Sequence, residues 1–126
     1  MTDKPDGVAL LEEARRTLLE TLLPLLPPER RYDGLMVANA MAIAAREAAQ
    51  GDASLREAVQ RLSALFPAAA ANENPRAQLL ELEARLASEI RAGLCDAPGA
   101  RRDAVRDYLR YSVAARARVS NPKALL

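Results

Sequence analysis

Hydrophobic residues recur at steps of three and four positions along the first part of the chain. Such spacing places them on one side of an α-helix. Prolines interrupt the pattern, because Pro24 breaks or kinks a helix at that point and Pro27-Pro28 ends it. We therefore predict a first helix that begins near Pro5 or Asp6 and carries an apolar stripe of Leu11, Ala14, Leu18, Leu22 and Leu25.

The second predicted helix runs from about residue 29 to residue 50 and is apolar on nearly every side through residues 35–45. A helix that is hydrophobic all round is a buried one. Its many alanines would let neighbouring helices approach closely, and Gly51 is placed to terminate it. We expect this helix to be the buried centre of the fold.

Three further helices are predicted, over about residues 55–66, 75–95 and 98–119. Asn74-Pro75 supplies a cap followed by a first-turn proline, after a loop over residues 67–75. No segment alternates apolar and polar residues as a half-buried strand does. The predicted fold is all-α: a single-domain bundle of about five helices around the buried, alanine-rich second helix.

The length of 126 residues is typical of one domain, so we expect a single helical domain over residues 1–126. The N-terminus holds two aspartates and a proline where a secretory leader needs a basic and then an apolar segment. The longest apolar stretch, residues 34–45, is shorter than the about 20 residues that span a membrane. With Cys95 as its only cysteine, the chain fits a reducing compartment. We predict a cytoplasmic protein without a membrane partner.

The net charge is only +1, but it is unevenly distributed. Residues 1–29 hold three basic and six acidic side chains, whereas residues 101–126 hold seven basic and two acidic ones. The arginines of the fifth helix spread around it instead of forming one stripe, and three tyrosines and one phenylalanine are too few for a base-stacking platform. We expect the two charged ends to complement each other, and we do not expect a nucleic-acid partner.

The residue types that are missing exclude much known chemistry. The chain has no histidine, which removes serine–histidine and cysteine–histidine nucleophile pairs and every histidine-containing metal site. Its five glycines form no phosphate-cradling loop. Carboxylate catalysis remains possible in principle, with Asp33 or Glu47 as the carboxylate and Arg46 as its electrostatic partner. We assign no catalytic residue, no metal and no cofactor, and expect a protein without enzymatic activity.

The most suggestive polar side chains lie on the second helix. Tyr32, Asn39 and Arg46 are seven residues apart and share nearly one face, flanked by Arg31 and Glu47. An unpaired buried polar group costs roughly 1–3 kcal/mol, so these side chains need partners. Either they line a small-molecule pocket between helices, or they form an internal network that ties helices together. These five residues are the candidate binding residues.

The segment RRYDGLMVANAMAIAARE, residues 30–47, resembles a family of small bacterial proteins of unknown function. LLEEARRTLLETLLPLLP, residues 10–27, and Asn121-Pro122-Lys123 are similar to the same family, while Ala124 stands where an aromatic residue is expected. Members are often encoded beside aminoglycoside-phosphotransferase-like proteins and acyl-CoA dehydrogenases. The resemblance implies a helical accessory protein near acyl-CoA or phosphotransfer metabolism.

Three functional hypotheses follow. The first is a non-catalytic protein that binds a partner, either a phosphotransferase-like or acyl-CoA-metabolising protein or a second copy of itself. The second is a binding or catalytic protein with a pocket lined by Tyr32, Asn39 and Arg46. The third is an anion-binding module that uses the fifth helix. The leucine-rich first helix and the low net charge favour a homodimer, formed through the first or the fifth helix.

Overall fold

The structure is a computed structural model that describes residues 6–126, and every regular element in these residues is helical. The all-α prediction is confirmed for them. Four α-helices follow one another: α1, Gly7–Thr17; α2, Pro28–Ser63; α3, Pro75–Arg91; and α4, Ala100–Ser120. A short 3₁₀ turn, Pro122–Leu125, follows α4.

The beginning and end of α1 follow from local chemistry. Asp6 caps the helix, because its carboxylate accepts a hydrogen bond from the Ala9 amide at 2.9 Å. The predicted start at Pro5 lies outside the described residues. After Thr17 the helix widens into a π-helical segment, Leu18–Leu22, and then tightens into a 3₁₀ turn, Leu23–Leu25. Pro24 explains the change, because it lacks the N–H that a regular helix would use there.

The predicted second and third helices form one element in the structure, so the count of five helices is not confirmed. Helical residues continue through α2 without an intervening loop, and Gly51 alone departs from helical geometry, with φ 60° and ψ −161°. A positive φ is inexpensive only for glycine. The helix is therefore broken at the residue where the sequence predicts its end, but no loop follows.

The chain divides into two compact units, residues up to Gly51 together with Ala117–Leu126, and Asp52–Arg116. The expectation of a single domain stays a prediction. The second unit contains the main hydrophobic core, built from the end of α2, the following turn, α3 and α4. Its buried residues are Leu62, Phe66, Leu82, Leu86, Val105 and Tyr108.

In the first unit, only one narrow face of α2 is buried. Gly34, Ala38 and Ala45 are covered, whereas Leu35 and Met36 are 50% and 48% exposed. A Cβ atom built on Gly34 would lie 2.7 Å from Leu23 Cδ1, so the glycine allows the close approach of the chain after α1. The prediction of a buried central helix is not confirmed, because the rest of this unit covers one side of α2 and leaves the other open.

The loop before α3 agrees with the sequence. The Asn74 side chain accepts hydrogen bonds from the amides of Arg76 and Ala77, at 3.0 and 3.3 Å, and Pro75 occupies the first turn. Within residues 6–126, no helix combines the length and the hydrophobicity that crossing a bilayer requires.

Candidate functional site

An apolar stripe runs along the exposed side of α2 in the first unit. Tyr32, Met36, Asn39 and Ile43 follow one another at steps of four, three and four residues, which places them on the side opposite Ala38 and Ala45. The Tyr32 side chain is 70% exposed, and Ile43 is half-buried. We call this set, with its neighbour Leu35, the α2 stripe: Tyr32, Leu35, Met36, Asn39 and Ile43.

Asn39 is the polar centre of the α2 stripe. It is exposed, and its side chain forms no hydrogen bond with the described part of the protein. Among residues 6–126 it makes no hydrogen bond of the kind that the network hypothesis expected. Its amide therefore has one donor group and one acceptor group available to water or to a partner.

Arg46 is held at the end of α4. Its Nε donates a hydrogen bond to the Val119 carbonyl oxygen at 2.6 Å, and the side chain is half-buried. The last carbonyls of a helix have no partner within the helix, and a cation is favourable at that end. Both groups belong to the first unit, so Arg46 joins α2 to the C-terminal segment of the same unit.

Four of the five predicted binding residues lie on the surface of the first unit. Arg31, Tyr32, Asn39 and Glu47 are exposed, whereas Arg46 is half-buried and lines a pocket. Their shared face is as the spacing indicates, but that face is turned outward. As binding residues they stay a prediction.

The pocket that contains Arg46 lies between α1 and α2 and has a volume of about 240 Å³. Arg15 reaches into it from α1, and its Nε donates a hydrogen bond to the Ala38 carbonyl oxygen at 3.1 Å. We call it the α1–α2 pocket; its lining residues are Leu11, Glu12, Arg15, Met41, Ala42, Ala45, Arg46 and Ala49. Sequence reasoning missed Arg15, because nothing along the chain indicates which residue of α1 lies beside α2.

The charged side chains of the second unit are used for internal contacts. Arg101 donates to the Leu65 carbonyl oxygen and to Glu89, each at 2.6 Å, and its guanidinium lies 4.9 Å from the centre of the Phe66 ring. Arg102 donates to the Asp96 carbonyl oxygen at 3.4 Å. These contacts account for two of the arginines of α4, which weakens the hypothesis of an anion-binding module on that helix.

Tyr108 and Glu83 form a polar contact beside the core of the second unit. The Tyr108 hydroxyl donates to Glu83 Oε1 at 3.4 Å, and Arg116 donates to the same oxygen at 2.7 Å. Burial raises the pKa of Tyr108 above its ordinary value of 10.0, and the negative charge of Glu83 raises it further. The contact joins α3 to α4 and has the character of a structural tie.

The described residues define an all-α protein with an open apolar stripe, and they contain no cluster of three or more acidic or cysteine side chains suited to a metal ion. The chain belongs to the family described as Domain of unknown function (DUF6285), whose model matches residues 24–124. Comparison with curated proteins and with solved structures gives no match. The match indicates common ancestry over most of the chain, and the description of the family names no reaction.

Proposed function

We propose that the protein is a non-catalytic accessory protein that acts by binding another protein through the α2 stripe. The observation that carries this proposal is the exposure of large apolar side chains along one continuous side of a helix. Proteins that work alone rarely leave such a contiguous surface in water. A helix with an apolar stripe is a common element of protein–protein recognition.

A second copy of the chain is the partner that fits the stripe best. In an antiparallel pair of α2 helices related by a two-fold axis at Asn39, the amide of each Asn39 meets its equivalent. An asparagine amide both donates and accepts, so it can pair with itself. Leu35 and Ile43, each four residues from Asn39, then face one another across the pair.

The polar residues that flank the stripe also suit this register. Tyr32 and Arg46 are each seven residues from Asn39, so Tyr32 of one copy lies level with Arg46 of the other. A guanidinium stacks its face on an aromatic ring while its edge keeps its hydrogen bonds. The chain uses this contact internally, since the Arg61 guanidinium lies 4.2 Å from the centre of the Tyr111 ring.

Arg31 and Glu47 add a long-range attraction. Each is eight residues from Asn39, so every Arg31 is level with the second copy's Glu47. The two lie on opposite flanks of the stripe, and the attraction therefore acts through space, within about a Debye length, and weakens in salt. The five predicted binding residues are in this way distributed symmetrically about one position.

The α2 stripe replaces the first and fifth helices as the proposed dimer surface. Its exposed apolar side chains lie on one regular helix, while those of the first part of the chain, Leu10, Leu22 and Leu25, lie on three successive elements of different helical geometry. The resemblance to small bacterial proteins of unknown function supports a bacterial cytoplasm as the setting, and a phosphotransferase-like or acyl-CoA-metabolising protein is the alternative partner for the stripe. The second hypothesis predicts a pocket lined by Tyr32, Asn39 and Arg46. Of these three residues, only Arg46 lines the pocket between α1 and α2.

Sedimentation velocity at micromolar concentration tests the dimer. We expect a species of about twice the chain mass of 13.6 kDa. Asn39→Asp should weaken association at least about ten-fold at neutral pH, because two like charges would meet at the axis. Gln60→Glu, the same type of exchange at an exposed position of α2, is the matched control. A 13.6 kDa species that does not change on concentration contradicts the proposal.

Disulfide trapping tests the register. In a Cys95→Ser background, Asn39→Cys should cross-link two copies under mild oxidation, since residue 39 lies on the axis and a disulfide needs Cα atoms within about 7 Å. Tyr32→Cys should not cross-link, because the two equivalents are then separated by fourteen residues, about 21 Å along the pair. Equal cross-linking at both positions would mean a parallel pair.

A further inference from the structure

We infer that the α1–α2 pocket binds a small organic monoanion, a carboxylate on a short aliphatic body. This inference does not require the dimer, because the cavity and both of its arginines belong to one copy of the chain. One of them, Arg46, is also level with the second copy's Tyr32 in the proposed dimer. Nothing in the family description assigns a ligand to this site.

Two arginines line the pocket, and each is hydrogen-bonded to the backbone through its Nε. Arg15 and Arg46 come from different helices, and each donates its Nε to a backbone carbonyl oxygen, at 3.1 Å for Ala38 and 2.6 Å for Val119. Anchoring at Nε leaves the terminal nitrogens available and limits the entropy lost on binding. Two such groups beside one cavity suit a planar oxyanion, which guanidinium binds with parallel hydrogen bonds.

Neither arginine has a carboxylate partner in the part of the chain that the structure describes. The ion pairs found there use Arg16, Arg30, Arg61, Arg101 and Arg116. Glu12 also lines the pocket but pairs with neither Arg15 nor Arg46, and it lowers the local charge from two positive groups to a net of one. The site therefore favours a single negative charge over a dianion such as phosphate.

The remaining lining of the pocket is aliphatic. Leu11 and Met41 supply larger side chains, and three alanines of α2 keep the cavity open: Ala42, Ala45 and Ala49. The pocket is a half-open cleft with a volume of about 240 Å³, which has room for a short aliphatic chain. Hexanoate, with six carbons and two oxygens, matches this size and combines the charged end with an apolar body.

The expected affinity is modest. Arg15 is an exposed residue, so water screens part of its attraction for an anion. We expect a Kd on the order of 1 mM for hexanoate, in keeping with one charged contact and one short apolar chain.

Titration of the ¹⁵N-labelled full chain with sodium hexanoate tests the inference by amide chemical shifts. We expect saturable shifts at Leu11, Ala42, Ala45 and Ala49. Hexylamine, which has the same aliphatic chain and the opposite charge, should not change the chemical shifts of these amides. Inorganic phosphate at the same ionic strength should bind at least about five-fold more weakly than hexanoate. Equal or tighter binding of phosphate would overturn the assignment to a monoanion.

Two variants test separately how the positive charge and the open volume of the pocket contribute to hexanoate binding. Arg15→Gln should weaken hexanoate binding about ten-fold, because a charge-assisted hydrogen bond is lost. Ala42→Leu fills the pocket and should abolish binding while Arg15 and Arg46 remain. Arg56→Gln, an exposed arginine outside the pocket, is the control for charge. Circular dichroism must show that each variant is folded.

Only variants that remain folded can test the predicted hexanoate binding. If folded Arg15→Gln and Ala42→Leu both bind hexanoate as the wild type does, the inference is wrong. The same titration on Asn39→Asp shows whether binding needs the dimer. We expect hexanoate binding to persist there, because the cavity and both arginines belong to one copy, so failure of the dimer proposal and failure of the anion site remain distinguishable.

Discussion

The two units of this chain use their hydrophobic residues in opposite ways. The second unit, Asp52–Arg116, directs large side chains inward and closes Leu62 and Phe66 into a core. The first unit buries small residues, Gly34, Ala38 and Ala45, and leaves much of its large apolar surface in water. Stability is therefore expected to depend on the second unit, and recognition on the first.

Two arginines in each unit show a similar contrast. In the second unit, Arg101 and Arg116 end on carboxylates that hold α3 and α4 together. In the first unit, Arg15 and Arg46 end on backbone carbonyl oxygens and face a pocket. A charge that is already paired stabilises the fold but has little left to offer a ligand. What an arginine is bonded to, more than how many arginines a unit has, therefore indicates whether it supports the fold or is available to a ligand.

The largest effect is expected from Leu62→Ala, which breaks the core of the second unit. Leu62 is 0% exposed, and removing such a side chain costs about 2–5 kcal/mol through lost transfer energy and a residual cavity. Leu25→Ala, the same exchange at a 77% exposed position of the first unit outside the α2 stripe, should cost less than about 1 kcal/mol. Urea unfolding measures both. Equal costs at the two positions would remove the contrast between the units.

The next effect is expected on the buried face of the first unit. Ala38 is 2% exposed and its carbonyl accepts the Arg15 hydrogen bond, so Ala38→Leu should destabilise by about 1–3 kcal/mol through overpacking. Ala44→Leu, at an exposed position of the same helix, is the control and should be near neutral. Thermal unfolding followed by circular dichroism compares them. If Ala38→Leu also leaves the stability unchanged, the contact between α1 and α2 is not tightly packed.

The smallest effect concerns Tyr108. Tyr108→Phe removes one long hydrogen bond to Glu83 and should cost about 1 kcal/mol. The pKa of Tyr108 is raised in the folded protein, so the unfolded chain loses the phenolic proton first as pH rises. The contribution of Tyr108 to stability should thus be complete below pH 10 and decline as pH rises above it. Urea unfolding between pH 8 and about pH 11 should show a steeper decline for wild type than for Tyr108→Phe; parallel curves would contradict this.

Several features were predictable from the sequence because they depend on neighbouring residues. The cap at Asn74-Pro75, the break at Gly51 and the interruption at Pro24 each follow from backbone chemistry that acts within a few residues. The common face of Tyr32, Asn39 and Arg46 follows from the helical period. The exclusion of histidine-based chemistry needs only the composition.

Burial was decided by the tertiary structure. An alanine-rich helix is apolar on all sides, but each alanine offers little area to bury, so its hydrophobicity does not determine which side is covered. The leucines, phenylalanine and tyrosine of residues 62–108 gain more from leaving water, and the main core forms there. The contacts of Arg15 with Ala38 and of Arg46 with Val119 join residues 23 and 73 positions apart. No local pattern encodes such separations, because they depend on how the helices pack.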